Sequence, residues 1–224
     1  MKTKTKRRPA PDDVSELTTN RLSIYLRCLD HLQAHGVKTV SSQALAAQFH
    51  LNAAQIRKDL AWFGEFGVRG VGYSVEALSA HLRQILGLGS AIRVAVVGAG
   101  NLGQALADYP GFPRVGFEPV ALFDREPSKI GKRSRGGVPI YDIRRMRSIV
   151  KREKIRIAMI AVPADAAQRA VNTVIASGIS AILNFAPGRP VVPPNVKMKD
   201  VDLTVSLEGL AYHLAQQNDG KKKR

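Results

Sequence analysis

One stretch constrains this chain more than any other. Ile92-Arg-Val-Ala-Val-Val-Gly-Ala-Gly-Asn-Leu-Gly103 opens as a short apolar, β-branched run, runs into Gly98-x-Gly100-x-x-Gly103, and continues as a helical segment to Asp108. The run reads as a buried parallel strand. The order of parts matters chemically. Gly98 permits a tight turn, Gly100 lets backbone N–H groups approach a pyrophosphate, and Gly103 lets the helix pack closely on the strand. A second apolar run, Val120-Ala-Leu-Phe123, ends in Asp124, 21 residues past Gly103, where a carboxylate can accept hydrogen bonds from a ribose. A lone glycine pattern is weak. With the strand before it, the helix after it and the spaced acid, it points to a dinucleotide, held by Gly98, Ala99, Gly100, Asn101, Leu102, Gly103 and Asp124.

A chain of 224 residues can hold one large or two modest domains, each able to bury a core. Cys28 is the only cysteine, which excludes an intrachain disulfide and a cysteine-based zinc site and fits a reducing compartment. No metal is expected. The basic N-terminus is followed by Pro9-Ala-Pro-Asp-Asp13 and not by an apolar core, so it does not read as a signal peptide, and no apolar run approaches the length of a membrane span. A soluble, cytoplasmic protein with no membrane partner is expected. The formal charge of +16 favours polyanionic partners, nucleic acid first. That charge is spread, however: residues 1–91 carry 12 basic and 7 acidic side chains, residues 92–160 carry 14 and 6.

Residues 1–16 read as a disordered basic arm, a solvated tail in preference to a groove-binding one. Residues 17–88 read as a DNA-binding domain. Leu22, Leu26, Leu29 and Leu32 set a helical stripe that Gly36 ends. Ser41 or Ser42 caps a short second helix burying Leu45 and Phe49. Asn52 then caps a third, with Gln55 at the position whose amide can reach back in a capping box and Leu51 and Ile56 at the staple positions. Ile56, Leu60 and Phe63 face inward, and Arg57 and Lys58 face out. Two short helices joined by a tight turn, the second with a basic face, describe a helix-turn-helix. The glycine-rich Gly64–Val75 that follows reads as a hairpin with Arg69 near its tip, the wing of a winged helix. Ser42, Asn52, Gln55, Arg57, Lys58 and Arg69 are therefore the candidate DNA contacts. A helix over 76–86 leads to the boundary at Gly87–Ser90.

Residues 89–200 alternate strand and helix, the mark of a doubly wound, Rossmann-like parallel sheet in an α/β chain. Strands are expected at 92–97, 118–123, 155–162 and 180–185, with a short one near 199–201, and helices near 101–108, 141–153 and 164–177. Arg144, Arg145, Arg147, Lys151 and Arg152 read as the wet side of the 141–153 helix. Two strand ends, Ala161-Val162-Pro163 and Asn184-Phe185-Ala186-Pro187, fall where an open α/β sheet presents its ligand crevice. Val162, Pro163, Asn184, Phe185, Ala186 and Pro187 join the cofactor candidates, with Asn184 able to bond an amide or ribose; ordinary loop punctuation explains the prolines equally well. Residues 201–217 form a terminal helix with Asp202 as cap and Leu203, Leu207, Leu210 and Leu214 on one stripe. That stripe must cover either its own sheet or a partner subunit. Residues 218–224 are a basic tail.

A dinucleotide site can serve hydride transfer or sensing. Dehydrogenases need a proton donor beside the nicotinamide and a substrate domain. No histidine occurs between His81 and His213, and Tyr109 and Lys154 have no partner at a suggestive spacing. An enzyme is not expected; a domain binding coenzyme A or another nucleotide for assembly alone is the remaining alternative.

Gln55-Ile-Arg-Lys-Asp-Leu60, Gly64-x-Phe-Gly-x-Arg-Gly-x-Gly-Tyr73, Gly98-x-Gly-x-Leu-Gly103, Asp108-Tyr-Pro-Gly-Phe112, Gly136-Gly-Val-Pro139 and Ile182-Leu-Asn-Phe-Ala-Pro187 together resemble, in the same order, the Rex redox-sensing transcriptional repressors. The likeness spans about Thr18 to Leu214. It implies a homodimer that binds a palindromic DNA operator when NADH is low relative to NAD and releases it when NADH binds. It further implies that the terminal helix is swapped onto the partner subunit, and that Arg21, Tyr109 and Asp202 form a switching network. Arg125, directly after the ribose acid, can greet a 2′-phosphate, which leaves NADP(H) open beside NAD(H).

Overall fold

The computed structural model describes residues 14–68 and 70–222, with the backbone alone for 217–222. Most of the expected arm, Arg69 and the end of the tail thus lie outside the described residues. The chain divides between Ser90 and Ala91 into two compact units.

The first unit holds α1 (Glu16–Ala34), β1 (Thr39–Val40), α2 (Ser42–Phe49), α3 (Ala53–Phe63), β2 (Gly67–Val68), β3 (Gly72–Ser74) and α4 (Val75–Ile85). Each helix starts on a side chain that satisfies an orphan N–H: Ser15, Ser41, Asn52 and Ser74 accept from Thr18, Ala44, Gln55 and Ala77. Ser41, not Ser42, is therefore the cap of α2. The turn between α2 and α3 is made by His50 in the left-handed conformation (φ 54°), which folds the two helices onto each other in three residues. Leu22, Leu29, Leu45, Ile56, Leu60, Leu78 and Leu82 close one core. The hairpin β2–β3 gains a third strand that periodicity could not reveal, because β1 is two residues long; it pairs antiparallel with β3, Val40 opposite Tyr73.

The second unit is a six-stranded, all-parallel sheet in the order β6-β5-β4-β7-β8-β9. Its strands are β4 (Ile92–Val97), β5 (Phe117–Asp124), β6 (Ile140–Asp142), β7 (Ile157–Ile160), β8 (Ala181–Asn184) and β9 (Lys197–Asp200), with α5 (Asn101–Ala107), α6 (Gly111–Arg114), α7 (Met146–Glu153) and α8 (Ala164–Ala176) between them. The strand order reverses between β4 and β7, so a crevice opens at their carboxyl ends. One expectation needs correction. The helix expected over 141–153 begins as the edge strand β6 and a 3-10 turn (Ile143–Arg145), and α7 starts only at Met146. Three residues are too few for an alternating pattern to outweigh the helical spacing of the residues after them.

The chain ends in α9 (Leu203–Lys222). The Asp202 carboxylate caps it, accepting from the backbone N–H of Thr204 at 2.9 Å and its hydroxyl at 2.6 Å. Its leucines 203, 207, 210 and 214 are all more than 60% exposed. Among the described residues no helix is long and apolar enough to cross a membrane, and no cluster of His, Cys, Asp or Glu could hold a metal ion.

Candidate functional site

The glycine loop is built by close approach. A Cβ at Gly98 (φ +101°) would strike the carbonyl of Ala161 on the neighbouring strand end, and one at Gly103 would strike the carbonyl of Gly98. Glycine at these two positions is what lets β4, α5 and β7 meet. Gly100 is different: nothing lies within 4 Å of where its Cβ would be. It lines a cavity, at the point where α5 begins with no side-chain cap.

Beside this loop lies a cavity of about 510 Å³. Gly98, Gly100, Asp124, Val162 and Pro163 line it, as do Arg125, Lys129, Ile143 and Arg169. Asp124 stands at the end of β5, 11% exposed. Its Oδ2 accepts the Ala99 N–H at 2.8 Å and the Lys129 ammonium at 3.1 Å, and its Oδ1 accepts the Glu126 N–H at 2.9 Å. Burial alone would raise its pKa, but the Glu126 and Ala99 amides and Lys129 outweigh it, and the carboxyl sits below its ordinary value. It is a fixed negative charge with one acceptor position still unfilled.

Two groups of expected cofactor residues are placed differently. Ala99 is fully buried and its N–H is committed to Asp124, so its part is to hold the acid. Asn184 is 1% exposed; its amide donates to the Ala186 carbonyl and to Asp200 Oδ1, and its carbonyl accepts the Ala186 N–H. It therefore has no N–H left for a ribose. With Phe185, Ala186 and Pro187 it forms the loop after β8, and none of the four lines the cavity. Lys129 and Arg169 were not legible as site residues: one lies in a basic loop and the other on a helix face, and only the fold brings them to the rim.

In the first unit the exposed face of α3 is set from below. Arg57 and Lys58 are exposed. Arg57 Nη1 donates to the Ser42 hydroxyl at 2.8 Å, while Ser42 itself is 6% exposed. Ser42 thus aims the guanidinium and does not reach outward. Asn52 is committed to its cap. Gln55 does not reach back to complete a capping box; its amide donates forward to Asp59 Oδ1 at 2.7 Å. Asp59, unremarked in the sequence, is 4% exposed and accepts four bonds: Arg21 Nε and Nη2 at 2.6 and 2.8 Å, the Tyr25 hydroxyl at 2.9 Å, and Gln55. Burial opposes its charge, yet Arg21, Gln55 and Tyr25 together hold its pKa below the usual carboxylate range. Burial, then the bond to Asp59, pushes the Tyr25 hydroxyl well up. The three switch candidates each have a local partner: Arg21 holds Asp59, Tyr109 is 54% exposed with its ring edge-on to Phe112, and Asp202 caps α9.

A family model described as "CoA binding domain" matches residues 89–188, and one described as "Putative DNA-binding protein N-terminus" matches residues 13–61. The redox-sensing transcriptional repressor Rex of Pelotomaculum thermopropionicum is 46% identical over 204 residues, 91% of this chain and 95% of that protein. Rex 1 of Thermotoga maritima is 40% identical over 92% of this chain and 99% of its own length. The crystal structure of a Rex-family repressor, RSP, in complex with beta-NAD+ and operator DNA covers 93% of this chain and 96% of its own with a TM-score of 0.86 at 38% identity. The same repressor in complex with beta-NADH covers 94% and 99% with a TM-score of 0.81 at 36% identity. A two-unit architecture with an open glycine cradle, a basic capped helix and relatives of this similarity along their whole length leads to one conclusion: the chain belongs to the family of Rex redox-sensing transcriptional repressors.

Proposed function

We infer that the protein is a homodimeric, non-enzymatic repressor that binds a palindromic operator through its first unit and senses NADH against NAD⁺ through its second. The observation that carries this reading is the joining, in one chain, of a dinucleotide cradle that keeps an unfilled acceptor to a helix whose Arg57 is aimed from a buried hydroxyl. Gly98 and Gly103 hold the cradle's shape, Gly100 and the start of α5 receive the pyrophosphate, and Asp124 takes a ribose hydroxyl. The cofactor, when bound, supplies a reducible nicotinamide whose two forms differ by one positive charge. Val162 and Pro163 supply apolar wall at the crevice, where a cation is penalised.

On the DNA side, Arg57 and Lys58 contact the duplex from α3, Arg69 joins them as a contact, and Ser42, Asn52 and Gln55 keep that helix in place. The exposed leucines of α9 support a dimer sealed through that helix. Two half-sites of a palindrome lie about one turn apart, ~34 Å. A dimer that changes the separation of its first units on NADH binding loses both half-sites together. Arg21, Tyr109 and Asp202 are the residues through which that change passes.

A gel-shift titration of a palindromic duplex with NAD⁺ and NADH tests the reading: NADH releases the operator and NAD⁺ does not. Linkage adds a quantitative check, because operator must then weaken NADH binding by the same factor by which NADH weakens operator binding. Arg57→Ala lowers operator affinity by roughly ten-fold or more and leaves the NADH titration unchanged. Equal loss of both would refute the assignment of the two units.

A further inference from the structure

The second unit carries a charge excess that the cofactor site does not use. Between residues 130 and 156, past the residues of that loop that line the cavity, the sequence holds ten Lys and Arg against two Asp and Glu, eight of the sixteen excess positive charges in about one eighth of the chain. Topology collects them at one margin. This segment is the loop after β5, the outermost strand β6 and α7. Helix α7 buries Met146, Ile149 and Val150 and leaves Arg147 and Lys151 exposed one turn apart, with Arg145 exposed in the turn that feeds it. Lys132 and Arg135 are exposed on the loop.

The acids nearby do not neutralise them. Asp142 is held by Arg144, and Glu153 by Arg152 and Arg93. Lys132, Arg135, Arg145, Arg147 and Lys151 form no salt bridge among the described residues. A three-residue edge strand is guarded by a charge or two, so edge protection does not call for five more. Unpaired like charges repel one another and favour a polyanion that spans them. The chemistry selects which kind. The apolar residues of α7 all point inward, so the helix has no face to lay into a lipid interface. Tyr141, the aromatic of this margin, is half-buried under Arg152, so no stacking platform for unpaired bases is offered. What remains is a row of forked and point cations suited to phosphate oxygens.

We propose that the β6–α7 margin of the nucleotide unit is a second duplex-DNA surface, one that contacts phosphates without regard to base sequence. Lys132, Arg135, Arg145, Arg147 and Lys151 are not among the residues that line the cofactor cavity, and the surface they form does not depend on the operator reading of the first unit.

The test uses the full chain and a duplex of scrambled sequence, with binding followed by fluorescence anisotropy across a salt series. The triple variant Arg145→Gln, Arg147→Gln, Lys151→Gln flattens the slope of log affinity against log salt by up to about 2.7, three phosphates at about 0.9 each. Scrambled-duplex affinity at low salt falls at least several-fold. None of the three residues lines the cofactor cavity, so an unchanged NADH titration certifies the fold, and Arg145→Lys with Arg147→Lys restores the slope. Repeating the pair of measurements in an Arg57→Ala background separates the two surfaces: residual binding persists with the native margin and disappears with the neutralised one. An unchanged slope and affinity overturns the proposal. So does a variant that loses binding to vesicles rich in phosphatidylserine while its duplex slope stays the same.

Discussion

Asp59 in the first unit and Asp124 in the second are both shielded carboxylates kept charged by their neighbours. They differ by one hydrogen bond. An ionised carboxylate offers about four acceptor positions. Asp59 fills all four with side chains from α1 and α3, two on each oxygen. Asp124 fills three, two of them with backbone amides, and turns its remaining position toward a cavity. The first is a closed joint that fastens α3 to α1. The second keeps a position open beside a cavity. Counting accepted bonds separates the two acids where burial and pKa direction do not.

The largest effect falls on the closed joint. Asp59→Asn leaves Arg21 facing a neutral amide, and the first unit loses about 3 kcal/mol, the lower end for breaking a shielded pair because Arg21 reaches solvent. Urea unfolding measures this, and a variant as stable as the parent would break the closed half of the comparison. Asp124→Ala comes next. It removes a charged acceptor worth roughly 1.5–3 kcal/mol, so NADH affinity falls about 10- to 100-fold while operator affinity without cofactor is kept; isothermal titration decides. Acid then sharpens the contrast. Both carboxyls have folded pKa values below their unfolded ones, so each adds stability that is complete above the ordinary aspartate pKa of about 3.9 and is lost as pH falls through the folded value. Melting temperature should therefore drop below about pH 4, and less steeply in Asp59→Asn. The smallest effect is Lys129→Met. Its ammonium is 39% exposed, so the pair contributes under ~1 kcal/mol, and a modest weakening of NADH with no loss of fold is expected.

The same contrast explains what could be read without coordinates. The glycine loop and the acid beside it can be read from sequence because they are local: Gly98, Gly100 and Gly103 fall within six residues, and Asp124 ends the very next strand of the sheet. Strict sterics at the glycines leave a pattern in sequence. The joint was not legible, since Arg21 and Tyr25 are more than thirty residues from Asp59 in sequence, and an aspartate on a basic helix reads as one more wet side chain. A hint was present in Gln55 and Asp59 standing four apart, but the capping-box reading of Gln55 competed for the same amide. Asn184 is a different case: its place at a strand end can be read locally, but the clasp its side chain makes with Ala186 and Asp200 depends on burial and on a strand sixteen residues away. Strand β6 was lost because three residues carry too little period to be seen against the amphipathic run that follows.

That clasp has a mechanical consequence. Asn184 ties the loop after β8 to Asp200 at the end of β9, and the Val201 amide closes on the Asn184 carbonyl. The end of β8 and the end of β9 are thus bonded to each other two residues before α9 begins. Twenty residues of helix extend about 30 Å, so a rotation of the root by about 10° sweeps its far end through about 5 Å. Any small turn of the sheet end at that root would be geared up, by leverage alone, into a stroke the width of a helical turn.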